Sequence, residues 1–207
     1  MAFNVNDFTS DMSSLGGGLA RANMFRVSIT NPTGLTDERN AGSSSAGGST
    51  DLLIKGAQIP GSTLAPLPVQ FGGRSIKLTG FRTFDNWTVT IINDEEYAHR
   101  LWIQNWMYSI AGMPDGTRAG IGKSSLYNMK TDATVTTYNN QATAVSTWNI
   151  KNMWPTALGD ITLDWSSDTI EEYTCEFAFE YWTHGHKTAG SDGVITEVTV
   201  VSTGAVA

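Results

Sequence analysis

One cysteine in 207 residues, Cys175, excludes an intrachain disulfide. Three histidines, His99, His184 and His186, offer little material for a Ser-His-Asp or Cys-His assembly, and no nucleophile motif accompanies them. His184 and His186 flank Gly185 in a stretch that reads as a solvated turn, where a metal would need ligands from elsewhere in the chain. GIGKSS at 120–125 ends like a phosphate loop, but Thr117 stands where such a loop needs glycine and no strand leads into it. No catalytic residue, cofactor or metal site is therefore expected. No apolar run approaches about 18 residues, and MAFNVNDFTSDMSSLGGGLAR has acids before its first base and no apolar stretch. Neither a membrane span nor a signal peptide is expected, so stable membrane insertion is not expected and the sequon Asn86-Trp87-Thr88 should stay bare.

Basic residues are scarce where acids gather. The chain holds 13 Lys and Arg against 20 Asp and Glu, a formal net charge of -7. From Asp160 onward nine acids (Asp160, Asp164, Asp168, Glu171, Glu172, Glu176, Glu180, Asp192, Glu197) meet Lys187 alone, so the rest of the chain holds 11 acids and 12 bases. Affinity for nucleic acid comes largely from Lys and Arg neutralising phosphates, and this balance argues against unaided binding.

What the chain does have is a core and a pattern. A composition 40% hydrophobic and 10% aromatic suits one sizeable domain. Residues 1–19, polar and glycine-rich, read as an N-terminal arm. Residues 20–182 read as one β domain, and 183–207 as a C-terminal extension whose ITEVTVVS is an added edge or a contact arm. Strand signals recur in ANMFRVSIT (Phe25, Val27 and Ile29 on one face), in DLLIKGAQIPG, in LPVQFGGRSIKLTG with a bulge or hairpin at Gly72-Gly73, and in FDNWTVTIIN with Trp87, Val89 and Ile91 on one parity. One helix follows, with Asn93 as N-cap, Glu96 as its capping-box partner, acids in the first turn, and Trp102, Ile103, Trp106 and Ile110 on the packed stripe. DATVTTYNNQATAVSTWNI reads as a hairpin of threonine-rich strands, followed by Trp154-Pro155 and by GDITLDW and EEYTCEFAFEYW as two closing strands. The segments 31–50 and 113–131 cannot bury apolar surface and are expected to be mobile.

The last strand alternates strictly. Tyr173, Cys175, Phe177, Phe179 and Tyr181 share one parity and are expected to pack the core, while Glu172, Thr174, Glu176, Ala178 and Glu180 share the other. Neighbouring glutamates of that row are roughly 13 Å apart at about 3.3 Å per residue, too far for a catalytic pair, which needs about 5 to 9.5 Å. A solvated face is the bland reading, and a carbohydrate-binding or hydrolytic β-sandwich is a distant one. Thr88, Thr90, Thr134 and Thr136 on other strands are small and uncharged, so several strands can share one smooth anionic face short of basic groups.

Together, LARANMFRVSI, LIKGAQIPGSTL, FGGRSIKLTGFRTFDNWTVTIINDEEYAHRLWIQNWM and WPTALGDITLDWSSDTIEEYTCEFAFEYW resemble the tail tube protein family of contractile-tailed bacteriophages. The resemblance implies a mainly β fold of two packed antiparallel sheets, a sandwich or barrel, with one flanking helix. It also implies hexameric rings that stack into a hollow tube, the sheet continuing across subunits into a barrel wider than the about 16 to 18 strands that already leave a channel. The implied partners are further copies of the chain, a tail sheath protein, baseplate or tube-initiator proteins, a tape-measure protein and double-stranded DNA as non-adhesive cargo. The implied location is the virion tail, after assembly in the host cytoplasm. On this reading Glu172, Thr174, Glu176, Ala178, Glu180, Thr88, Thr90, Thr134 and Thr136 face the lumen, and Phe25, Val27, Trp87, Val89, Ile91, Trp102, Trp106, Tyr173, Cys175, Phe177 and Phe179 form the core. The tube of a phage-derived injection or type VI-like secretion system is the alternative.

Overall fold

In the computed structural model, which describes residues 4–14, 19–33, 35, 53–112, 129–186 and 196–197, alternation of apolar and polar residues becomes one antiparallel system wrapped round a single core. Its strands are β1 (Phe25–Ile29), β2 (Ile54–Ala57), β5 (Trp87–Ile92), β6 (Thr131–Tyr138), β7 (Ala144–Leu158), β8 (Glu172–Ala178), β9 (Tyr181–His186) and β10 (Thr196–Glu197). They pair in the order β1-β6-β7-β8-β5-β2, with β9 on β7 and β10 on β9. A separate hairpin joins β3 (Thr63–Phe71) to β4 (Arg74–Thr83) through Gly72-Gly73. Both turn glycines take positive φ, 58° and 76°, which a side chain would resist.

Strand β7 belongs to two sheets. Its first half, through Lys151, lies between β6 and β9, and from Trp154 onward it pairs with β8. The change falls at Asn152, which sits at φ 54° and whose N–H donates to Asp132 Oδ1 at 3.1 Å. The reading that ended this strand before Trp154-Pro155 is corrected. Pro155 cannot donate to a ladder and is tolerated at bulges, and the register shifts immediately after it. Thr156 Oγ1 donates to Glu176 O at 3.1 Å across that bulge.

Inside, Val27, Trp87, Val89, Ile91, Tyr173, Cys175, Phe177 and Phe179 are buried in one cluster with Ile150 and Met153, and Phe25 packs half-buried at its margin. Helix α2 (Ala98–Ala111) closes the cluster. Trp106 stacks obliquely on Trp102 at 5.3 Å and on Phe177 at 5.9 Å between ring centroids, and its indole N–H donates to Met129 O at 2.6 Å.

The start of α2 differs from the sequence reading. Tyr97, left-handed at φ 55°, precedes the helix, no acid lies in its first turn, and Glu96 is exposed. Asp94 supplies the capping carboxylate, accepting from Ala98 N at 3.0 Å and His99 N at 3.4 Å. Burial pushes its carboxyl up, but these bonds and the His99 side chain outweigh that and hold it below the ordinary value. Asn93, expected as the cap, donates to Glu171 Oε2 at 2.8 Å instead. Asn93 and Asp94 are adjacent and both favoured N-cap types, which made the wrong cap attractive.

Three further readings are corrected. The N-terminal arm contains a helix, α1 (Val5–Ser14), whose entry is fixed by Asn4, a favoured N-cap type, accepting from Asn6 N at 3.0 Å. ITLDW forms no strand; 159–171 is an exposed loop. His184 and His186 lie on β9, not in a turn, with His184 Nε2 at 2.5 Å from Ser146 Oγ and its ring 4.8 Å from that of Trp148. Of ITEVTVVS, Thr196 and Glu197 form β10, an added edge on His186 and Gly185. GIGKSS and most of the segments 31–50 and 113–131 lie outside the described residues.

Candidate functional site

The polar parity of β8 stands beside that of β5. Thr88 pairs with Glu176, Thr90 with Thr174, and Ile92 with Glu172, and residues opposite one another in an antiparallel ladder share a face. Ala178 completes the row opposite Trp154. These side chains look away from Tyr173, Cys175 and Phe177, which are at most 2% exposed.

Thr134 and Thr136 are not part of this patch. They lie on β6 in the other half of the wall, opposite Ser28 and Arg26 on one side and Asn149 and Thr147 on the other. Thr134 Oγ1 donates to Asn149 Oδ1 at 3.2 Å. Both groups face away from the shared core, and β7 links them.

Glu180 leaves the row as well. Strand β8 ends at Ala178, and Glu180 N donates to Lys151 O at 3.2 Å where the chain crosses to the other sheet, so Tyr181, read on the core parity, instead begins β9 and is exposed. Its carboxylate is held by Lys130 Nζ at 2.5 Å and Asn152 Nδ2 at 2.7 Å. Those two bonds, Lys130 first, keep its carboxyl below the usual glutamate value.

The expectation that this face lacks basic groups is overturned. Lys55 Nζ meets Glu172 Oε1 at 2.5 Å, and Lys130, besides holding Glu180, lies 4.8 Å from the Trp154 ring centroid. Lys151 meets Asp132 at 2.9 Å on the adjoining face. Among the described residues Glu176 is the member of the row with no ion-pair partner. The row thus holds one paired carboxylate, Glu172, and a bare one, Glu176, with the paired Glu180 beyond its end. Sequence reasoning missed the lysines because Lys55 and Glu172 are 117 positions apart, and a count of charges along the chain cannot show who meets whom.

The face offers little to chemistry. Among the described residues no three His, Cys, Asp or Glu side chains gather as a metal site. Cys175, deep in the core, has its thiol pushed up to about 12, by burial first and by the Glu176 charge second, which makes it a poor nucleophile at neutral pH.

Other surfaces invite protein contact. Among the described residues the outer edges of β1 and β2 end the strand order unpaired, and unpaired edges are templates for further pairing. The β3–β4 hairpin is exposed along nearly its whole length. A wall of strands with a polar, charge-balanced face, open edges and an uncovered apolar hairpin defines a structural protein built to assemble.

The comparisons specify which kind. The chain belongs to the phage tail tube protein family, whose model matches residues 20–185. It is 33% identical over 180 residues to the tail tube protein gp19 of Enterobacteria phage T4, covering 86% of this chain and 98% of that one. It is 27% identical to the tail tube protein of Serratia phage KSP90, covering 84% and 93%. In fold it is similar to a chain of the anti-feeding prophage baseplate, solved with 6-fold symmetrisation, with a TM-score of 0.57 at 13% identity over 80% of this chain and 95% of that one. A chain of an extracellular contractile injection system, in its sheath/tube terminator, matches with a TM-score of 0.55 at 15% identity over 80% and 96%. The role of this protein is therefore structural, in a phage tail.

Proposed function

We propose that six copies close into a ring, that rings stack into the tail tube, and that the face carrying Thr88, Thr90, Glu172, Thr174, Glu176 and Ala178 lines its lumen, with Glu180, Thr134 and Thr136 at its margins. The observation that carries this is the ladder between β5 and β8, which sets small and acidic side chains on one continuous face with its lysines already occupied. A duplex moving past such a face finds no free ammonium group to exchange for its counterions, and Glu176 repels its phosphates. Non-adhesion then follows from balanced charge plus one bare carboxylate, more than from a continuous anionic wall. Double-stranded DNA is the cargo. Baseplate or tube-initiator proteins start the tube, a tape-measure protein fills it during assembly in the host cytoplasm, and the tail sheath surrounds it.

A tube of an injection or secretion system is less well supported, because the phage relative is 33% identical over most of the chain and the injection-system chains share 13% and 15%. Glu176→Lys tests the lumen. It leaves the buried parity untouched, so tubes should form, but they should retain DNA internally at low salt and release it steeply as salt rises. Tubes of this variant that bind DNA only outside, or that lose sheath attachment while ejecting normally, would show that the face points outward.

A further inference from the structure

Strand β9 brings two histidines together. In a turn, His184-Gly185-His186 would fix no mutual geometry. In a strand it does, because residues two apart point to the same side, and β9 is held in register on β7, with Trp148 opposite His184 and Ser146 opposite His186. The two imidazoles lie 6.1 Å apart between ring centroids, with their planes 28° from parallel. At about 2.0 to 2.1 Å for each metal–nitrogen bond, two imidazoles on one ion place their centroids about 5 to 6.5 Å apart. The observed spacing falls in that window. His184 is half-buried and His186 exposed, so the His186 ring is free to turn about its side-chain torsions and aim a nitrogen at an ion beside His184.

Hydrogen bonding selects the nitrogen that His184 offers. Ser146 Oγ donates to Gly185 O at 3.4 Å, which uses the one proton of the hydroxyl. In its contact with His184 Nε2 at 2.5 Å the ring is then the donor, so neutral His184 carries its proton on Nε2 and a lone pair on Nδ1. Ligating histidines are ordinarily held in this way, one nitrogen donating to an oxygen while the other binds. The Trp148 ring, 4.8 Å from that of His184 between centroids, packs beside the imidazole and restricts its rotation.

The surroundings leave these lone pairs to a cation from outside. The residues sharing this face across the ladder are Ser146 and Trp148 on β7 and Thr137 and Val135 on β6, none of them charged. Among the described residues no carboxylate forms an ion pair with either ring. Imidazole donors without carboxylates suit late first-row transition metals, whereas Mg²⁺ and Ca²⁺ require oxygen ligands.

We propose that His184, through Nδ1, and His186 chelate one late first-row divalent cation, Ni²⁺, Cu²⁺ or Zn²⁺, on the face of β9, with Ser146 as a positioning residue and water in the remaining positions. Two protein ligands make an open site, unlike the closed four-ligand set of structural zinc. The ion fixes the two side chains across Gly185 and, through Ser146, steadies the end of β9 on β7. The site is independent of which face lines the lumen and of whether the chain forms a tube.

Calorimetric titration of Ni²⁺ alone into the full-length chain tests it, with Zn²⁺ in a second series. One ion per chain should bind. His184→Gln and His186→Gln should each weaken binding by about a hundredfold, because a single imidazole loses the advantage of chelation. Ser146→Ala should weaken it by about tenfold by releasing the tautomer. Each variant should keep the circular dichroism of the parent, and His186→Gln, at an exposed position, carries the test if His184→Gln does not fold. Ni²⁺ should also slow amide exchange in β9 of the parent and leave His186→Gln unchanged. A parent that takes up neither ion at millimolar concentration, or a His186→Gln chain that binds as the parent does, would overturn the site. An affinity unmoved in Ser146→Ala would overturn the assignment to Nδ1.

Discussion

Strand β8 and the β3–β4 hairpin are written in the same alternating code and meet opposite fates. In β8 the apolar parity is at most 2% exposed at Tyr173, Cys175 and Phe177. In the hairpin Leu67, Val69 and Phe71 alternate as regularly and stay in water. Alternation states which face of a strand is apolar; it does not state whether the chain itself or a neighbour covers that face. Where α2 and two sheets converge, the chain covers its own. Among the described residues the hairpin pairs only with itself, and none of them covers its apolar face.

The sharpest way to break the comparison is truncation. Phe177→Ala removes a fully buried ring in contact with Trp87 and Trp106, and should cost about 3 to 5 kcal/mol in denaturant unfolding of the free subunit. Phe71→Ala, at 76% exposure, should change the same measurement by less than about 0.5 kcal/mol while impairing assembly. Equal losses in the free subunit would mean that the hairpin is part of the folded core.

A smaller effect is expected at Gly80. A Cβ there would meet Ala65 O at 2.2 Å, where the hairpin register shifts. Gly80→Val should accelerate amide exchange across Thr63–Thr83 and leave exchange in β5 and β8 unchanged. Faster exchange in β8 would show that the two regions unfold as one.

The smallest effect concerns the charged rim. The folded carboxyl of Glu180 titrates below its ordinary 4.5 because of Lys130 and Asn152, so its stabilising contribution is complete above that pH and is lost as pH falls through the depressed value. Lys130→Met should move the Glu180 titration upward toward 4.5, read by carboxyl NMR. Unfolding above about pH 5 should barely change, since exposed ion pairs contribute little. An unmoved titration would assign the shift to Asn152 alone.

These contrasts also mark what could be read in advance. The polar row and the buried parity of β8 were legible because a strand's two-residue period is local. So was the turn at Gly72-Gly73, whose residue type answers to backbone geometry. The path of β7 through Pro155 was not, because a proline reads as a stop unless the bulge that absorbs it is known. ITLDWS misled for the converse reason: Ile161, Leu163 and Trp165 alternate like a strand, but no strand lies beside them. The lysines at Glu172 and Glu180 were illegible because ion pairs across a sheet depend on which strands become neighbours.

The shared strand β7 has a mechanical consequence. Two sheets joined only by loops can slide past one another, but here one strand of fifteen residues runs from one into the other, hydrogen-bonded to β6 and β9 at one end and to β8 at the other. Shear between the halves has to be borne by that one ribbon, and its backbone is least regular at Asn152, braced by Asp132 and Glu180. A load applied along one sheet therefore passes to the other through a single clamped joint. A shaft stacked from such units carries thrust as a stiff column, and its give is confined to the joints between subunits.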